Sequence, residues 1–279
     1  MKFQPVIKWS GSKRSQSETI VSKIPTNKNY DTYYEPFCGG CSVLYQLLHS
    51  DKNFKNYVCS DKNRGLIDLW NLIKTNPELV FNEYEKMWNE LNIDDNKERK
   101  KQYFYTVRDR YNKEHNPTDF MFIMRTTTNG MPRYNNKGEF NNSFHVTRNG
   151  INPKNFKPII FNWSKILNEK KVQFIHQEYN IISTNKNDFV YLDPPYANTK
   201  GMYYGTINYE ELWNWLRGQQ CDYILSFDGK TSSKDMTYEV PKDIYNIHEY
   251  IYSGNSSFRR IIGTSNSEYV NESLYIKIK

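Results

Sequence analysis

An acid, two prolines and a tyrosine, Asp193-Pro194-Pro195-Tyr196, follow directly on the apolar run Phe189, Val190, Tyr191 and Leu192. Asp193 and Pro194 each precede a proline, which drives them into extended conformations. The two pyrrolidine rings remove backbone donors and leave carbonyl oxygens. The product is a stiff row of acceptors followed by an aromatic face. Such a row suits a flat ring bearing an exocyclic amine: the Asp193 carboxylate and the Pro194 carbonyl each accept an N–H, and Tyr196 stacks on the ring. An amine conjugated with its ring is a poor nucleophile. Holding both hydrogens out of the ring plane shifts the nitrogen towards sp3 and frees its lone pair for attack. A rigid loop leaving a buried strand would have the same composition, because proline pairs are ordinary turn punctuation.

Two further features bear on this row. EPFCGGCS, residues 35–42, joins a strand to a helix through two adjacent glycines, a place where backbone can approach a nucleotide-like ligand. Asp61 ends the next strand about twenty residues on, where an acid accepts hydrogen bonds from ribose hydroxyls. Asp61 could equally cap the helix that begins near Asn63. Cys38 and Cys41 have C-x-x-C spacing, but there is no second pair and no H-x-x-x-H, so no metal is expected.

These residues need a sheet to position them. Strand, glycine turn, helix, strand and helix succeed one another from Tyr33 to Lys74, a βαβ-like start. Residues 76–116 read as charged helices with Val80, Tyr84, Met87, Leu91, Phe104 and Val107 at helical spacing. Residues 129–158 are rich in Asn, Gly, Arg and Pro and read as loop, with the NNKG turn making a hairpin. Strands then resume at KVQFIHQEY, DFVYLDPPY, CDYILSFDG, DIYNIHEYIYSG and ESLYIKIK, with a helix at YEELWNWLRG. The sheet is expected to be mixed and largely parallel. Its last strand, reached through a polar linker without a helix, is expected to be antiparallel.

The chain of 279 residues carries 38 Lys and Arg against 31 Asp and Glu, a net charge of +7 that suits a phosphate-bearing partner. No apolar run is long enough for a membrane span, and the N-terminus lacks the pattern of a signal peptide. Four scattered cysteines do not make a disulfide framework. A soluble, cytoplasmic protein is expected.

Taken together, KWSGSK (residues 8–13), EPFCGG and DPPY resemble, in composition and in order, the Dam-type DNA adenine-N6 methyltransferases of bacteria and phages, the D12 class, α group. VRDRYNKEHNP and NGMPRYNNKGEFN are similar to that family's helical and hairpin recognition segments. The resemblance implies S-adenosylmethionine as methyl donor, with no metal. It places Trp9, Gly11, Lys13, Glu35, Phe37, Gly39, Asp61, Glu178, Tyr179 and Asp193 around that cofactor. Asp193, Pro194, Pro195 and Tyr196 would serve a target base flipped out of the duplex. For DNA it points to Lys8, Asn129, Arg133, Tyr134 and Asn135, with Arg148 on the phosphate backbone and His145 on either bases or phosphates.

The implied architecture is a Rossmann-like α/β methyltransferase sheet. Residues 1–75 and 165–279 would form the catalytic domain, and 76–164 an inserted, mainly helical recognition domain with a hairpin near 129–148. The implied substrate is double-stranded DNA, at GATC or a related site, and the implied state a monomer. Cytosine N4 in DNA, adenine in RNA, or DNA binding without catalysis are the alternatives. Departures from the family pattern fall at Ser12 and Cys41 in the cofactor motifs. Thr128, Pro132 and NNSFHVTRNG depart in the segment where members recognise their outer base pairs.

Overall fold

The computed structural model describes residues 4–196, 207–255 and 269–279, and every candidate residue falls within them. Strands β1 (Tyr30–Pro36), β2 (Phe54–Asp61), β3 (Gln173–His176), β4 (Phe189–Leu192), β5 (Asp222–Thr231), β6 (Ile247–Asn255) and β7 (Tyr269–Lys277) form one sheet. Its order is β3-β2-β1-β4-β5-β7-β6. The first five strands run parallel, and β7 lies antiparallel between β5 and β6. The expected largely parallel sheet with an antiparallel last strand is therefore present, while the linker of residues 256–268 lies outside the described residues. All four residues of β4 are buried, as in a strand covered on both faces.

From β1 the chain moves outward to β2 and β3 on one side, and later to β4 and β5 on the other. The reversal of direction between β1 and β4 opens a crevice at their carboxyl ends, the place where open α/β sheets bind ligands. The glycine turn leaves β1 and the DPPY row leaves β4, so both enter that crevice.

Helices α1 (Ser17–Ser22), α2 (Ser42–Leu48) and α3 (Arg64–Thr75) accompany the first strands. Helices α4 (Pro77–Leu91), α5 (Lys97–Glu114), α6 (Pro117–Thr126) and α7 (Pro153–Glu169) follow before β3, and α8 (Tyr209–Gly218) precedes β5. Much of the asparagine content serves these helices. Asn63, Asn76, Asn96, Asn116, Asn152 and Asn208 each accept a first-turn backbone N–H on their side chain. Three of them are followed by proline at the first helical position, where the missing donor costs nothing.

This corrects the expectation of loop through residue 158. Asn152-Pro153 starts α7 rather than prolonging a turn. The expected boundary at 164/165 consequently falls inside α7, whose Trp163 packs on Trp70 of α3 with ring centroids 4.8 Å apart. Asn76 ends α3 and caps α4. One apolar core runs from the sheet through these tryptophans to Tyr84 and Phe156. The β6 stretch also begins later than expected, at Ile247, because residues 242–244 form a 3-10 turn.

The NNKG hairpin forms as a tight turn rather than as paired strands. Tyr134 and Phe140 make an isolated antiparallel bridge. Asn135 donates to the Glu139 carbonyl and Asn141 to the Arg133 carbonyl, both at 2.9 Å. Gly138 takes φ +78°, a left-handed conformation natural to glycine.

Candidate active site

The crevice holds a cavity of about 400 Å³. Every residue expected to touch cofactor or target base lines it, from Trp9, Gly11 and Lys13 through Glu35, Phe37, Gly39 and Asp61 to Glu178, Tyr179 and residues 193–196. None of the seven DNA candidates does.

The glycine turn is held from three sides. Gly39 donates its N–H to Asp61 Oδ2 at 3.1 Å and accepts from Trp70 Nε1 at 3.1 Å. A Cβ on Gly39 would lie 2.6 Å from Trp9 Nε1, and its φ of +46° is left-handed. Glycine is thus required for the approach of Trp9 as well as for any ligand. Phe37 and Cys41 also adopt positive φ, at 70° and 54°, which is unusual for residues with side chains and marks a tightly determined loop. Asp61 does not cap α3. Asn63 does so, while Asp61 Oδ1 accepts the Asn63 N–H at 2.9 Å and braces the turn.

Phe37 and Tyr179 face each other with ring centroids 5.4 Å apart, forming an apolar wall. Tyr179 lies beyond β3 in a short 3-10 turn, and Glu178 beside it pairs with Lys62 at 2.8 Å. Cys41 packs into the core and is fully buried; Cys38 lines the cavity as a free thiol. Burial pushes the Cys38 thiol up to about 11, so it is no thiolate at neutral pH. Among the described residues no group of three or more His, Cys, Asp or Glu is placed to hold a metal ion. No helix among them is long and apolar enough to cross a membrane.

At the other end of the cavity, Lys13 Nζ lies 2.8 Å from Asp193 Oδ1 and 3.5 Å from Glu272 Oε2, with the lysine side chain 4% exposed. It also sits 4.9 Å from the centre of the Tyr196 ring. Lys13 is therefore tied to the acceptor row itself. Burial raises the Asp193 carboxyl to about 6, outweighing the pull of Lys13 in the opposite direction, and Glu272 adds to the rise. Tyr209 donates its hydroxyl to the Pro195 carbonyl at 3.1 Å, while the Pro194 carbonyl has no protein donor among the described residues. Of the two proline carbonyls, one is consumed by the scaffold and one remains available.

Glu35 is 3% exposed and accepts from the Tyr33 hydroxyl at 2.7 Å. Burial raises its carboxyl to about 8, with the Tyr33 hydrogen bond opposing and the Asp193 charge reinforcing the shift. The cavity is lined by six carboxyl groups (Glu35, Asp61, Glu178, Asp193, Glu211 and Glu272), of which burial favours the protonated form of Glu35, and by two lysines, Lys13 and Lys62. In a protein of net charge +7 this is an acidic hollow. It favours a cationic, hydroxyl-bearing ligand over a phosphate-bearing one.

The sequence matches the family of D12 class N6 adenine-specific DNA methyltransferases over residues 9–255. The chain belongs to this family. Type II methyltransferase M.MjaIII of Methanocaldococcus jannaschii is 34% identical over 210 residues, 70% of each chain. Type II methyltransferase M1.LlaDCHI of Lactococcus lactis is 27% identical over 270 residues, 88% of this chain and 87% of the relative. The DNA adenine methylase of Haemophilus influenzae is 26% identical over 214 residues, 71% of this chain and 65% of the relative. The protein is therefore a methyltransferase of the D12 class, built on a mostly parallel seven-stranded sheet.

The DNA candidates of this methyltransferase divide by environment. Arg133 and Asn129 are exposed at the hairpin and its base. Tyr134 instead accepts from Asn63 Nδ2 at 2.9 Å, which ties the hairpin to α3. Asn135 is engaged within the turn, donating to Glu139 Oε2 at 2.8 Å and accepting the Lys137 N–H at 2.9 Å. Lys8 is exposed, and Gly130 packs so closely on its backbone that a Cβ there would be 2.8 Å from the Lys8 carbonyl oxygen. Partial burial first, and then the nearby Arg148 and Arg125, lower the Lys8 ammonium. Arg148 donates to the Thr127 carbonyl at 2.6 Å, and the neighbouring His145 is lowered by burial and then by Arg148.

Sequence reasoning missed Glu272 and Tyr209. Glu272 lies on the last strand, with no motif around it, and only the insertion of β7 beside β5 brings it to the cavity. Tyr209 opens α8, and its place beside Pro195 depends on how that helix packs.

Proposed function

We propose that this enzyme transfers the methyl group of S-adenosylmethionine to the N6 amine of an adenine flipped out of duplex DNA. The observation that carries the reading is the convergence of Asp193, the Pro194 carbonyl and Tyr196 in one cavity with an acidic cradle. The cofactor, when bound, supplies an activated methyl group on a sulfonium. Its cationic and ribose-bearing character fits the donor set: Glu35 and Asp61 as acceptors, Phe37 and Tyr179 as an apolar wall, and Trp9, Gly11 and Gly39 as the floor. Asp193 and the Pro194 carbonyl accept the two amine hydrogens, and Tyr196 supports the face of the base. Extruding the base costs a few kcal/mol of stacking and pairing, which the pocket must offset.

Residues 1–75 and 165–279 form the catalytic unit in this reading, and 76–164 the recognition unit, with α7 fixed to both. Arg133 and Asn129 read the target from the hairpin, Tyr134 and Asn135 hold its shape, and Lys8 and Arg148 meet phosphates. GATC is the first target to test. The departure at residues 141–150 bears on the outer base pairs of that site.

The decisive experiment is transfer of tritium from labelled S-adenosylmethionine to fully unmethylated duplex DNA, followed by identification of the modified base and its flanking sequence. N6-methyladenine is expected. N4-methylcytosine, or label entering RNA alone, would overturn the reading.

Two predictions arise here. Arg133→Ala is expected to cost about 1–3 kcal/mol of discrimination at one base pair, the range for an arginine reading guanine. Competition between cognate and singly altered duplexes measures this; unchanged rate and site choice would remove Arg133 from recognition. The second concerns Glu35. With its carboxyl raised to about 8, most molecules carry the proton at neutral pH, and a cationic ligand beside it favours the carboxylate. Cofactor binding should therefore release roughly half a proton or more. Titration calorimetry in buffers of differing ionisation enthalpy checks this, and a buffer-independent enthalpy would refute it.

A further inference from the structure

Glu272 has no place in the motifs of the chain, yet it touches Tyr196 at one end of the acceptor row and lies near Lys13, which pairs with Asp193 at the other. Its Oε2 accepts the Tyr196 hydroxyl at 2.9 Å and lies 3.5 Å from Lys13 Nζ, which is itself 2.8 Å from Asp193 Oδ1. The side chain is 17% exposed, so this contact is made largely out of water.

Its direction is set by an irregularity in the sheet. Between β5 and β7 the register passes from Phe227 opposite Ser273 to Lys230 opposite Asn271. Asp228 and Gly229 therefore both face the single residue Glu272. A bulge of this kind bends its strand and re-aims side chains, and bulges are enriched beside active sites. Gly229 is needed for it. A Cβ there would lie 2.1 Å from the Asn271 carbonyl oxygen and 2.8 Å from the Glu272 Cα, both backbone atoms that cannot swing aside.

We propose that Glu272 is a positioning residue for methyl transfer, holding the Tyr196 hydroxyl and sharing Lys13 with Asp193 so that ring face and carboxylate stay in register for the amine. This rests on the adenine-methylation reading above. A carboxylate beside Asp193 carries an electrostatic disadvantage, because one ammonium then serves two acids. In return the phenol gains a charge-assisted hydrogen bond, stronger than a neutral amide would give.

The two consequences separate experimentally. Asp193 is faced by Lys13 from the N-terminal segment, Tyr196 from its own loop, Tyr191 from β4, Glu35 from β1 and Glu272 from β7. Glu272→Gln removes the charge of the last of these and leaves the ionisable groups of the others in place. It weakens the hold on Tyr196 and at the same time eases the ionisation of Asp193, which the Glu272 charge opposes. A residue with a merely structural role would not produce the second effect.

The test is steady-state methylation of unmethylated duplex DNA by the full chain across the acid and neutral range. Glu272→Gln is expected to lower kcat about tenfold, as small misplacements at a reacting centre do, with KM for the cofactor little changed. The acid limb of kcat/KM should move to lower pH. Tyr196→Phe, which keeps the ring and loses the hydroxyl, should lower kcat similarly, and the double variant should be no worse than the worse single one. Wild-type activity with Glu272→Gln unchanged in kcat and acid limb, or fully additive with Tyr196→Phe, overturns the proposal alone. A wild-type chain that methylates no adenine overturns the functional reading beneath it.

Discussion

Asp193→Ala will reduce methyl transfer by about a thousandfold while the chain still binds its cofactor, the scale of loss seen when a preorganised partner of developing charge is removed. Asp193 is the charged member of the acceptor row, and its partner there is a backbone carbonyl that no substitution can remove. Without the carboxylate one amine hydrogen is left without an acceptor, and the developing positive charge on the nitrogen loses its nearest anion. Cofactor binding should survive, because the cradle of Asp61, Phe37, Gly39 and Tyr179 is built on β1, β2 and the turn after β3. Lys13 retains Glu272 as a partner in the variant, so the cavity is not left with an unpaired ammonium. Single-turnover transfer beside calorimetric cofactor binding distinguishes the cases. Loss of both activities together would show that Asp193 belongs to the cofactor site rather than to the amine.

Lys13→Met will shift the acid limb of kcat/KM upward. Asp193 must be ionised to offset the positive charge that develops on the amine nitrogen, and burial already holds it at about 6 in spite of Lys13. Removing the ammonium deletes the largest force that lowers this value and leaves the Tyr196 hydrogen bond to oppose burial and the Glu272 charge. The sign follows directly. A higher pKa means that the protonated, inactive form persists to higher pH, so activity is lost from the acid side and regained in alkaline buffer. Losing an adjacent opposite charge usually raises a carboxyl by one to three pH units, so kcat/KM at pH 7 should fall roughly two- to ninetyfold. A pH–rate profile of the variant superimposable on that of wild type, merely scaled down, would show that Lys13 acts on the cofactor instead of on Asp193.

The parts of the site that follow from local chain properties were legible in residue order. Proline geometry alone makes residues 193–196 a rigid row, and a strand followed by paired glycines makes a turn that closes over a ligand. The sheet was legible for a similar reason: short apolar runs such as Phe189 to Leu192 are buried on both faces wherever they lie. Asparagine misled once, because Asn-Pro marks a helix start as readily as a turn. At Asn152 only the packing of α7 against α3 and α4 decided between them.

What residue order could not supply is which distant groups share an environment. The Asp193–Lys13–Glu272 cluster draws on the N-terminal segment, the loop after β4 and the last strand. Its electrostatics depend on separations of 2.8 and 3.5 Å that no spacing in the chain encodes. The same holds for Trp9 against Gly39, and for Tyr134, whose hydroxyl is engaged by Asn63. The proline-restricted stretch at residues 193–196, the glycine turn and the family are readable in residue order, because each resides in contiguous residues with restricted backbones. How those parts are charged and braced is not, because Coulomb interaction and burial depend on distance in space and not along the chain.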